Sequence, residues 1–246
     1  RRYHPANPRS LQLRCHAQTA GCSLTAQQPM NNVVRTSLQA LAAVLGGTQS
    51  LHTNSMDETL ALPTEDAVKL ALRTQQIIAA ESDIVNTVDP LGGSYFVESL
   101  TNRLEEGAQD YFRRLDGMGG MIRAIERGFP QREILEASQR YQRELERGER
   151  SLIGVTDHVE KTERPILILR IGPEVEQEQV ARLSDLRKSR DPFRMAGALE
   201  EVQETAACHQ NLLPSLIEAV LAKATLGEIC GALREVYGTY REPVVL

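Results

Sequence analysis

The chain contains no tryptophan, and aromatic residues make up 4% of its 246 positions. Recognition that needs a broad indole face must therefore be built from other side chains. Cysteine is almost as sparse, with Cys15, Cys22, Cys208 and Cys230 the only four. No two form a C-x-x-C pair, which removes the usual zinc and dithiol spacings and reads as buried free thiols of a reducing compartment, the cytoplasm by default. Long apolar runs are missing too. No stretch approaches the ~20 residues that cross a bilayer, and the opening RRYHPANPRS lacks the apolar core of a signal peptide. That basic, Pro-containing opening leads directly into a strand pattern, as the interior of a longer protein does. Positive charge is in deficit, with 28 Lys and Arg against 33 Asp and Glu for a net charge of −5. A nucleic-acid partner is not expected, and the one basic cluster, Arg187, Lys188 and Arg190, reads as a solvated helix face. No membrane partner is expected either, and no internal repeat or low-complexity segment occurs.

What is present is ordinary globular composition, 41% hydrophobic and 25% charged, organised around residues 11–63. Residues 11–18 alternate, with Leu11, Leu13, Cys15 and Ala17 on one face and Gln12, Arg14, His16 and Gln18 on the other, the period of a strand. Residues 48–54 repeat the pattern, with Thr48, Ser50, His52 and Asn54 sharing a face. Between them Asn31 or Asn32 can cap a helix that is apolar nearly all round, and Gly46-Gly47 can end it. This is a βαβ unit with two parallel strands. Each strand carries an unusually polar face for a buried parallel sheet. Two arrangements satisfy it: a hydrophilic barrel lumen that admits a polar ligand, or an edge strand meeting water.

Beyond this unit, a loop from Met56 runs to Pro63, and Thr64 caps a helix with Glu65 and Asp66 in its first turn. Asp89-Pro90-Leu91-Gly92-Gly93 is a turn, Ser94 caps a helix to about Leu115, and Gly119-Gly120 breaks it before a short helix ending at Gly128. Residues 131–147 form a charged helix with a narrow stripe of Ile134, Ala137 or Ser138, Tyr141 and Leu145. Residues 152–155 read as a short buried strand. A mixed linker over 161–173 leads to helical patterns around 180–186, 193–208, 212–224 and 226–237.

RCHAQTAGCSLTAQQPMNNVVRT, GGTQSLHTNSMDETLALPT and DPLGGSYFVESLT together resemble the catalytic subunit of methylmalonyl-CoA mutase and its isobutyryl-CoA mutase relatives. The likeness continues more weakly through GGMIRAIERG and IGVTDH. It implies an α/β fold: residues 1–158 as the C-terminal part of a TIM (β/α)8 barrel, then 159–246 as a helical linker and extension. A whole barrel needs eight strands and about 250 residues, so the earlier strands, which in the family hold most of the acyl-CoA, lie outside the resemblance. The cobalamin-binding domain lies outside it as well.

The resemblance further implies adenosylcobalamin as cofactor and an acyl-CoA substrate, rearranged in the methylmalonyl-CoA to succinyl-CoA manner or as isobutyryl-CoA or a related acyl-CoA. Implied partners are a cobalamin-binding domain or small subunit and a P-loop GTPase chaperone, within a dimer or heterotetramer. Such a cofactor supplies the reactivity, so the protein's task is to hold the adenosyl group and exclude water. Carried over by resemblance, Glu58 and Asn54 hold the adenosyl ribose. Gly21 and Ala61 lie where the backbone meets the corrin, and His16 and Gln18 line the reaction cavity as catalytic candidates. Ser50 and His52, with Thr48, reach the substrate arm.

Two positions depart from the family: Cys22 stands where methylmalonyl-CoA mutases usually have Trp, and Met30 where they have an aromatic residue. This weakens the methylmalonyl assignment relative to other acyl-CoA mutases. Glu58 also has a plain reading as a surface or capping charge, and His16 and His52 as satisfied, partly buried histidines. Two other functional readings are a non-catalytic segment that keeps only subunit-interaction surfaces, and a metal-dependent lyase with His16, His52 and Glu58 as ligands. No metal is expected, because the resemblance already accounts for those three residues. The segment alone is expected to be inactive.

Overall fold

The structure is a computed structural model that describes residues 4–162 and 165–241. Residues 163 and 164 of the linker, and 1–3 of the opening, lie outside the described residues. The chain divides into two compact units between Arg170 and Ile171.

In the first unit β1 (His16–Gln18) pairs in parallel with β2 (Ser50–His52), His16 opposite Ser50, Ala17 opposite Leu51 and Gln18 opposite His52. The connecting helix is α1 (Asn31–Leu45). The parallel βαβ unit is therefore as expected, but its strands are shorter than residues 11–18 and 48–54. Pro8–Leu11 is instead a 3-10 turn capped by Asn7, and Leu11 and Leu13 are 71% and 79% exposed. Only Cys15 C=O to Gln49 N–H and Thr19 N–H to His52 C=O extend the ladder at its ends.

Four more helices follow: α2 (Glu65–Glu81), α3 (Tyr95–Gly117), α4 (Met121–Glu126) and α5 (Phe129–Glu146). Thr64 and Ser94 cap α2 and α3, accepting from Ala67 N–H and Val97 N–H, as the sequence foretells. Gly119 and Gly120, at φ +92° and +97°, make the break before α4. Residues 152–155 form no strand. Gly154 adopts φ +86°, and Val155 and Thr156 N–H both return to Leu152 C=O. The backbone closes on itself, leaving one isolated bridge between Ile153 and Asp157. Helix α5 is held less by its expected stripe, Ile134 being 70% exposed, than by Phe129, which is 7% exposed. The Arg114 guanidinium lies 4.6 Å from the Phe129 ring centre and donates to Glu133. Glu133 also accepts from the Tyr111 hydroxyl, and these two bonds hold its carboxyl below the usual range.

Among the described residues there is one two-stranded sheet and no closed barrel. None of the helices is long and apolar enough to cross a membrane among the described residues. The four cysteines are free, as expected, but only Cys15 is even half-buried and the other three are exposed.

The second unit holds α6 (Pro173–Ser189), α7 (Pro192–Ala207), α8 (Leu213–Leu221) and α9 (Leu226–Tyr237). Its core is Val202, Ala219 and Ile229, flanked by Leu199, Leu216 and Leu233. Arg190, just past α6, grips Glu228 of α9 with two 2.6 Å bonds. The Glu228 carboxylate also accepts from Thr225 N–H while Thr225 Oγ1 accepts from Glu228 N–H, a capping box. The Arg190 bonds, and then those to Thr225, outweigh burial and pull Glu228 down to about 2. Because its folded pKa lies below the unfolded value, Glu228 adds stability above about pH 4.5 that is lost as pH falls towards 2. In Glu228→Gln this acid-limb loss, followed by circular dichroism, is expected to flatten. Thr225→Ala is expected to cost about 1 kcal/mol at neutral pH.

Candidate active site

Helix α2 packs on one face of the two-stranded sheet. Thr53 Oγ1 donates to Ala71 C=O, and Gln75 Nε2 of α2 donates to Leu51 C=O and Thr53 Oγ1. That packing turns His16, Gln18, Ser50 and His52 the other way, where all four are exposed. On this face His16 Nδ1 and Ser50 Oγ are 2.7 Å apart across the ladder.

The functional candidates converge beyond the C-terminal ends of the strands. Asn54, 2% exposed, accepts from Gln18 Nε2 at 3.0 Å and donates from Nδ2 to Thr19 C=O at 2.9 Å. Thr19 Oγ1 accepts from Asn54 N–H. Both of the Asn54 side chain's polar atoms are thus engaged, which fixes the amide. Glu58 stands against Gly21: a Cβ added at Gly21 would lie 2.8 Å from Glu58 Oε1 and 3.2 Å from Asn54 Nδ2. Glycine at position 21 is therefore explained within the chain, because a side chain there would occupy the carboxylate's place. Gly21→Ala is expected to displace the flexible end of Glu58 and press on the buried Asn54 amide, lowering the melting temperature by a few degrees while leaving the backbone fold intact by circular dichroism.

His52 and Glu58 also line one cleft of about 400 Å³, with Thr53, Ser55, Pro63 and Leu72 among its other walls. Ala61 belongs to the same loop, its N–H donating to Asp57 C=O. Thr48 is turned inward along the chain, its hydroxyl donating to Ser50 C=O. Among the described residues His16, His52 and Glu58 do not gather as a three-ligand metal set.

Sequence reasoning missed the polar core beneath this site. Asn32, Asn54, Thr36 and Asp57 are among the largest fully buried side chains. Asn32 is not the helix cap, since it sits inside α1 behind Met30. Its Oδ1 accepts from Thr25 N–H and Arg35, and its Nδ2 donates to Thr25 C=O and Met56 C=O. Arg35 continues to Ile153 C=O, and Gln28 Nε2 donates to His158 C=O, tying residues 153–158 to the start of α1. The available signal was a second Asn at a helical position where its propensity is poor, which implies a tertiary use.

Polar side chains gathered at the C-terminal mouth of parallel strands, over glycine and a packed polar core, are the mark of an α/β enzyme segment. The chain belongs to the methylmalonyl-CoA mutase family, whose profile matches residues 1–239. It is 45% identical over 240 residues to methylmalonyl-CoA mutase of Rhizobium meliloti (strain 1021), covering 97% of this chain and 34% of that protein. With the 2-hydroxyisobutanoyl-CoA mutase large subunit of Aquincola tertiaricarbonis it is 45% identical over 246 residues, 99% of this chain and 44% of that protein. The Escherichia coli (strain K12) methylmalonyl-CoA mutase is also 45% identical, over 242 residues, 96% of this chain and 33% of that protein. The chain thus spans about a third to under half the length of these curated relatives.

Proposed function

We propose that this chain is the C-terminal part of the catalytic barrel, with its helical extension, of an adenosylcobalamin-dependent acyl-CoA mutase. The observation that carries this reading is the Glu58 carboxylate seated on Gly21 beside the fixed Asn54 amide. A carboxylate and an amide side by side, over a residue with no side chain, suit a sugar with vicinal hydroxyls. A charge-assisted bond from a ribose hydroxyl to Glu58 is worth roughly 1.5–3 kcal/mol. Adenosylcobalamin, when bound, supplies the radical reactivity of the rearrangement.

The chain's own residues bind, orient and exclude water. Glu58 and Asn54 hold the ribose, and Gly21 and Ala61 keep the backbone approachable by a flat macrocycle. His16, its Nδ1 paired with Ser50, keeps Nε2 for the reacting ligand, and Gln18 is oriented through Asn54. His52 and Ser50 meet the acyl-CoA arm. A cobalamin-binding domain or small subunit supplies the other wall, a role in keeping with relatives named as large subunits. A P-loop GTPase chaperone and a dimeric or heterotetrameric assembly complete the reading. The substrate is methylmalonyl-CoA, or else isobutyryl-CoA or a related acyl-CoA. Cys22, exposed beside Gly21, covers less ligand area than an indole and favours the second.

The test compares this chain alone with the complete catalytic subunit, each given adenosylcobalamin and the cobalamin-binding partner. The complete subunit is expected to rearrange methylmalonyl-CoA or isobutyryl-CoA, and the chain alone neither. Turnover by the chain alone would refute the division of the barrel proposed above.

A further inference from the structure

Asp57 is completely buried one residue before Glu58. Its Oδ2 accepts from Thr64 N–H at 2.9 Å and from Thr64 Oγ1 at 3.2 Å, while its Oδ1 has no hydrogen-bond partner among the described residues. Its C=O accepts from Leu60 N–H and Ala61 N–H at 2.8 and 3.1 Å. One residue therefore closes this loop twice, to Thr64 through its side chain and to Leu60 and Ala61 through its backbone. The closure ends on a helix: Thr64 Oγ1 caps α2 through Ala67 N–H, so a negative charge at Asp57 meets the positive end of the helix dipole. On the other side Met56 C=O is held by Asn32. Glu58 thus leaves a backbone anchored at the two residues before it, although its own side chain is long, exposed and entropically costly to order.

We propose that Asp57 is a positioning residue: by latching the 57–64 loop to the start of α2 it sets where the Glu58 carboxylate stands against Gly21, and through Glu58 it governs the hold on the adenosyl ribose. The second half rests on the reading of Glu58 given above. The two bonds from Thr64 to Oδ2 tie this buried carboxylate to the loop it closes.

The test uses the complete catalytic subunit with its cobalamin-binding partner, carrying Asp57→Ala, Asp57→Asn, Glu58→Gln or both Asp57→Ala and Glu58→Gln. Affinities are measured for adenosylcobalamin, for hydroxocobalamin, which lacks the adenosyl group, and for acyl-CoA, together with amide hydrogen exchange. Asp57→Ala is expected to weaken adenosylcobalamin threefold to tenfold, leaving hydroxocobalamin and acyl-CoA unchanged, and to add nothing to Glu58→Gln. Asp57→Asn, which keeps an oxygen for Thr64, is expected to restore most of the affinity. Equal losses for both cobalamins, or losses that add in the double variant, would overturn the proposal. If Glu58→Gln itself does not discriminate the two cobalamins, the ribose reading of Glu58 fails. Exchange at Leu60 and Ala61 then decides the latch: faster in Asp57→Ala but not in Glu58→Gln upholds it, and unchanged exchange overturns it.

Discussion

Glu58→Gln in the complete catalytic subunit is expected to lower turnover at least tenfold while acyl-CoA affinity stays within error of wild type. The substitution keeps the side chain's length and removes its charge, so the Gly21 seat remains filled and, on the proposed reading, only the strength of the bonds to a ribose changes. A charge-assisted bond is about twice as strong as a neutral one, and losing about 1.4 kcal/mol from the barrier term is a tenfold change in rate. Glu58 lies beyond the C-terminal ends of the strands with Gly21 and Asn54, whereas Ser50 and His52 sit along them. Steady-state kinetics paired with an acyl-CoA titration check both halves. A raised KM with unchanged kcat would assign Glu58 to the acyl-CoA.

Asn32→Ala is expected to open the polar core beneath the site at a cost of about 3 kcal/mol, because buried polar groups left without partners cost roughly 1–3 kcal/mol each. The amide serves Thr25 on both its N–H and its C=O, and also Met56 and Arg35. Its loss strands several groups at once in a place with 0% exposure. Amide exchange at Thr25 is expected to accelerate roughly a hundredfold, the kinetic equivalent of that energy. Protection within threefold of wild type would show that the core tolerates the gap. Asn32→Asp is the informative companion, since it keeps the acceptor for Thr25 N–H and Arg35 but loses both donors.

Much of the local structure follows from short-range chemistry. Thr64 and Ser94 cap their helices, Gly46-Gly47 ends α1 with Gly47 at φ +78°, and Gly119-Gly120 breaks the chain between α3 and α4. Such signals are legible because a hydroxyl before a helix, or a residue free to take positive φ, acts on atoms a few residues away. The alternation over His16–Gln18 and Ser50–His52 likewise announced which side chains share a face. Its extent misled, because a strand lasts only as long as a neighbour pairs with it, and residues 11–14 have none among the described residues. Residues 152–155 failed for the same reason: their β-branched and apolar character suits a strand, but the backbone bonds closed locally around Gly154.

Sequence by itself thus determined the caps of α2 and α3 and the glycine breaks, the polar face of the two strands and the presence of Asn54 and Glu58 close after one of them. Tertiary structure alone decided that Glu58 would rest on Gly21, that Gln18 would be oriented through Asn54, and that Asn32 and Asp57 would be buried beneath the loop. The physical reason is range. Capping and alternation are settled by neighbours along the chain, whereas a buried amide or carboxylate is placed by partners whose distance in sequence, from Gly21 to Glu58 or Asn32 to Met56, leaves no periodic trace.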